Sequence, residues 1–118
     1  MYNVNKNMVT NNIIPLIKTI RKNPVAKKTP IVFIEQCIID IGSIHNEFIN
    51  SVIEKNDELN KQVDKAINKG EKDLFMIKQI GGIDEDSEAT VDGIHFNDLG
   101  FQRYADHFLK NIKELDIL

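Results

Sequence analysis

The sequence predicts an α/β fold: a partial doubly wound, flavodoxin-like parallel sheet with flanking helices, in the order α-β-α-β-α. Two short apolar runs, residues 30–36 and 74–77, alternate with three longer stretches of helical periodicity. Strands separated by helices pair in parallel through right-handed crossovers. A sheet of this kind normally has more than two strands, so the pattern resembles the second half of such a domain.

The first stretch, residues 9–22, places Val9, Ile13, Leu16, Ile17 and Ile20 on one helical face, with Thr10 or Asn11 as cap and Asn23-Pro24 as its end. The run Pro30-Ile31-Val32-Phe33-Ile34 is rich in β-branched residues and carries proline only at its first position, as a buried strand tolerates. Residues 44–69 read as a long charged helix whose inner face is Phe48, Val52, Leu59, Val63 and either Ala66 or Ile67. Gly70 stands where a helix-terminating glycine belongs. Residues 74–77 form the second strand. After Gly81-Gly82 and an acidic tract, a last helix spans residues 98–114, with Asn97 as N-cap and Phe101, Tyr104, Ala105, Phe108, Leu109 and Ile112 facing inward.

With 118 residues, 42% hydrophobic and 28% charged, the chain suits one soluble globular domain spanning 1–118. A net charge of −3 and no basic run beyond Lys27-Lys28 argue against a nucleic-acid partner. Apolar runs are too short to cross a bilayer, and the first residues lack signal-peptide character, so a cytoplasmic location is expected for the chain as written. Cys37, the lone cysteine, excludes an intrachain disulfide and reads as a small core residue.

Asp92 and His95 stand with two residues between them on a loop that follows a strand and precedes a helix, the edge where such folds place their chemistry. A carboxylate there can hold one imidazole nitrogen while the other faces a cleft. The competing reading is a plain Asp-Gly turn with a surface histidine. The alternation Asp84, Asp86, Glu88 lacks the glycine and distal glutamate of a calcium loop and reads as a solvated segment. His45 and His107 have no partner at ligand spacing and read as structural or exposed. Glu35 and Asp40 flank the end of the first strand.

The segment Asp92-Gly93-Ile94-His95, then Asn97, Gly100-Phe101 and Tyr104-Ala105, resembles the last conserved block of the SGNH hydrolases, the GDSL-type esterases and lipases. Thr29-Pro30-Ile31-Val32 is similar to that family's penultimate strand, and the wording from Thr90 to Phe101 looks most like bacterial carbohydrate or acetyl esterases. The resemblance spans nearly the whole chain but only the carboxyl-terminal half of a family domain. It implies that His95 is the general base of a serine esterase and Asp92 its orienting carboxylate. Lys6-Asn7-Met8, just before the first helix, is similar to the segment supplying an oxyanion-binding asparagine, with Lys6 in place of the usual proline; the resemblance gives Asn7 that role. No cofactor or metal is called for.

The family's Gly-Asp-Ser block, which bears the nucleophile, is not in this sequence. Ser43, Ser51 and Ser87 all lack the strand-turn-helix setting that exposes a nucleophile. Two expectations follow. In one, the chain is part of an ester hydrolase, acting on a substrate such as an acetylated carbohydrate, with the serine supplied by an upstream segment or another chain; the parent protein could then be secreted or periplasmic. In the other, it is a non-catalytic remnant that self-associates as a homodimer through the open strand edge at residues 31–35.

Overall fold

The computed structural model describes residues 4–37 and 46–117; Asp40, Ser43, His45 and the expected helix start at residue 44 lie outside them. Helix α1 is Lys6–Lys22, β1 is Ile31–Ile34, α2 is Asn46–Asn68, β2 is Leu74–Ile77 and α3 is Asp98–Glu114, with a single 3-10 turn, Pro24–Ala26, after α1. The predicted order and both strands are present.

The start of α1 corrects the expectation. Its N-cap is Asn5, whose side chain accepts from the Met8 amide at 3.0 Å. The Thr10 hydroxyl instead bonds the Lys6 carbonyl and the Glu58 carboxylate of α2, at 3.0 and 2.8 Å. Apolar periodicity begins only at Val9 because the first turn faces solvent, so periodicity placed the boundary late. At the other end, Arg21 ties α1 to the strands, donating to the carbonyls of Ala26, Thr29 and Lys72.

The strands pair in parallel with Ile31 opposite Leu74 and Ile34 opposite Ile77. One sheet face, through Ile31, Phe33, Leu74 and Met76, packs on Val9 and Ile17 of α1 and on Leu59, Val63 and Ala66 of α2. Ala66 is buried and Ile67 exposed, which settles the inner face of α2. Gly70 adopts φ 98°, and Glu71 donates back to Ala66 O at 3.1 Å, closing the helix as expected.

Helix α3 departs from prediction. Ile112 is buried, but Phe101 is 62% and Leu109 49% exposed, and Ala105 is exposed as well. Among the described residues Phe96 meets this face at Phe101 and Tyr104, yet Phe101 and Leu109 stay largely open. The chain exposes 7928 Å², against about 6,500 Å² for a closed monomer of this size. No described helix is long and apolar enough to cross a membrane.

Candidate active site

A second, smaller cluster lies past the carboxyl ends of the strands. Cys37, Ile83 and Ala89 are buried there with Ile94, Phe96 and Tyr104 packed against them. Phe96 sits edge-on to Phe101 at 5.5 Å and beside Tyr104 at 5.6 Å. This platform carries the loop that holds Asp92 and His95. The loop's neck is closed by an antiparallel bridge between Thr90 and Phe96 and by the Val91 amide donating to His95 O at 2.9 Å. Gly93, at φ 82°, makes the turn, and its amide donates to Thr90 Oγ1 at 3.1 Å.

Within this turn Asp92 has two jobs. Its Oδ1 accepts the backbone amides of Ile94 and His95, at 3.0 and 2.8 Å. Its Oδ2 lies 2.7 Å from His95 Nδ1. The His95 amide bond, then the imidazole bond and the Ile94 amide, pull the Asp92 carboxyl down to about 2. The ionised carboxylate can only accept, so Nδ1 carries a proton, and in the neutral imidazole Nε2 keeps its lone pair. With the imidazole side chain 74% exposed, Nε2 is open to an incoming group.

Asn97 caps α3 as predicted, accepting from Gly100 N at 2.9 Å, and its amide nitrogen also donates to Glu88 O at 2.6 Å. The acidic tract is not simply solvated. Arg103 of α3 grips Asp86 with two bonds of 2.7 Å and reaches Asp84 at 3.2 Å. Arg103 lies 17 positions from Asp86, a separation at which sequence alone shows no pairing. The described residues contain no cluster of His, Cys, Asp or Glu able to hold a metal ion.

The structure separates the other candidates. Asn7 lies inside α1, in its first turn, rather than before it, because Asn5 is the cap; it is exposed, and no hydrogen bond joins it to Asp92 or His95 among the described residues. Ser51 is on the outer surface of α2, and Ser87 sits in the acidic loop at φ 62°. His107 Nε2 donates to Lys78 O at 2.6 Å, anchoring α3 to the end of β2. Glu35 is buried and structural, accepting from Asn60 Nδ2 at 2.5 Å and from Gln79 N at 3.1 Å. Burial pushes the Cys37 thiol up to about 11, and it donates to Gln79 Oε1 at 3.0 Å.

The sequence profile of the family described as GDSL-like lipase/acylhydrolase matches residues 1–113. Among solved structures, the chain is similar to a protein described as a GDSL-like lipase from Bacteroides ovatus ATCC 8483, with a TM-score of 0.87 and 29% identity over 95% of this chain and 33% of that one. It is also similar to the salicylyl-acyltransferase SsfX3 from a tetracycline biosynthetic pathway, with a TM-score of 0.77 and 14% identity over 96% of this chain and 34% of that one, a likeness of fold. The chain therefore spans about a third of the length of both structures. No curated protein matches it.

Proposed function

The chain belongs to the GDSL-like lipase/acylhydrolase family, and from that premise we propose that it supplies the Asp-His half of a serine acyl-hydrolase site. The bond of 2.7 Å between Asp92 Oδ2 and His95 Nδ1 carries the reading. In the proposed reaction, His95 Nε2 takes the proton from a serine hydroxyl as the serine oxygen attacks an ester carbonyl. Asp92 holds the tautomer and stabilises the imidazolium. The proton then passes to the leaving alcohol, and water releases the acyl group by the same route in reverse. Asn7, whose exposed amide has no side-chain hydrogen bond among the described residues, is the proposed oxyanion donor once the domain is complete. The serine comes from a Gly-Asp-Ser segment outside these 118 residues, in the same polypeptide or another. The proposed substrate is an ester, such as an acetyl group on a carbohydrate.

A fluorophosphonate probe tests this reading. The chain alone should not be labelled. Joined to a serine-bearing segment of the family, the protein should be labelled at that serine, and His95→Ala should abolish the labelling. Labelling that survives His95→Ala would count against the role given to His95.

A second reading, a non-catalytic chain that self-associates, is favoured by one observation. Ile31 N donates to Asp73 O at 2.9 Å and Glu35 N to Ile77 O at 3.0 Å. In a parallel ladder the intervening Val32 and Ile34 then turn their backbone groups away from β2, toward an edge that no described strand pairs.

A further inference from the structure

Arg103 projects from α3 onto the loop preceding Asp92. Its Nη1 donates to Asp86 Oδ1 at 2.7 Å and to Ile83 O at 3.1 Å, its Nη2 donates to Asp86 Oδ2 at 2.7 Å, and its Nε stands 3.2 Å from Asp84 Oδ2. All three guanidinium nitrogens are engaged, on a side chain only 23% exposed. An isolated surface ion pair contributes little, but a bidentate fork with two further contacts fixes geometry as well as charge.

The clamp leads to the neck of the active-site loop. Asp86 Oδ1 also accepts the Glu88 amide at 3.1 Å. Glu88 O accepts Asn97 Nδ2 at 2.6 Å, and Ala89 O accepts Asn97 N at 3.1 Å. Asn97 follows the Thr90 and Phe96 bridge that closes the loop carrying Asp92 and His95. Resting on the reading of those two residues as an acid-base pair, we propose that Arg103 is a positioning residue for His95. By locking Asp86 to α3 it fixes the loop neck, and so fixes where Nε2 points. Arg103 does not touch the imidazole; it acts through Asp86, Glu88 and Asn97. A lysine cannot reproduce the fork, because a single ammonium cannot meet two carboxylate oxygens and a carbonyl in one plane.

NMR of the isotopically labelled chain tests this without turnover. Long-range imidazole spectra above neutral pH report the His95 tautomer, and amide exchange reports the order of residues 91–95. Asp86→Ala removes both acceptor oxygens of the clamp from an exposed loop; Arg103→Ala cuts it from the helix. Both should shift His95 from a pure Nδ1-protonated form to a mixture and speed loop exchange by about tenfold. Arg103→Lys should fall between them and the wild type. An unmoved tautomer in Asp86→Ala overturns the proposal, even if exchange quickens, since that would leave the clamp a structural role only. If Arg103→Ala fails to fold, Asp86→Ala decides alone. A shifted tautomer in a protein whose serine labelling ignores His95→Ala would sink the catalytic reading and leave this one standing.

Discussion

A β-carbon added to Gly100 would stand 2.0 Å from the carbonyl oxygen of Ala89. The first turn of α3 therefore presses directly on the strand-like segment leading into Asp92. Gly100→Ala must push the two apart, and overpacking of this kind costs about 1–3 kcal/mol. Thermal unfolding should show a lowered midpoint, and the Val91 and Asn97 amides, which donate across the neck, should lose protection first. A midpoint equal to wild type would show that the contact relaxes freely.

The Asp92 carboxyl is held at about 2 by the His95 amide, the imidazole and the Ile94 amide, all of which bond its ionised form more strongly. Its folded value lies below its unfolded value of 3.8. The stabilisation is thus fully present above about pH 4 and is lost as pH falls through 2. Carbon-detected titration of Asp92 should give a midpoint near 2, and the Ile94 and His95 amides should lose protection in the same window. A midpoint near 4 would mean that the two amide bonds do not form.

Cys37 should be nearly inert. A thiol pushed up to about 11 holds on the order of a hundredfold less thiolate at pH 8 than a free cysteine. Its reaction with a disulfide reagent should be slower than in the unfolded chain by at least that factor. Equal rates would place Cys37 on the surface.

The open edge of β1 has its own test. Val32→Pro removes an N–H that the ladder with β2 does not use, and proline is tolerated on an edge strand. Sedimentation should show the wild type associating through this edge and Val32→Pro shifted toward monomer. A monodisperse wild-type monomer at high concentration would contradict association through β1.

Local features were the legible ones. Asp92, Gly93 and His95 form their bonds within one turn, so their spacing could suggest the pair, though a plain turn with a surface histidine fitted the same spacing. The Asn97 cap and the Gly70 terminus depend likewise on neighbours a few positions away. Contacts between distant segments left no such mark. The grip of Arg103 on Asp86 joins a helix to a loop of ordinary-looking acidic residues, and Glu35 meets Asn60 and Gln79 only after the strands have paired. Periodicity marked Phe101 and Leu109 as one apolar stripe, but it carries no information about what covers that stripe. Helix α1 began early because Asn5 could cap it, while the apolar pattern that reveals a helix starts four residues later.

The proposed role of His95, oriented by Asp92, is that of base in an acyl-hydrolase site completed by a serine from outside this chain. The rate of p-nitrophenyl acetate hydrolysis tests it most directly, measured on the protein joined to a Gly-Asp-Ser segment, with and without His95→Ala. His95→Ala should lower kcat/KM by about a thousandfold or more, while the 118-residue chain by itself stays at the buffer rate. Equal kcat/KM for the two joined proteins would contradict it.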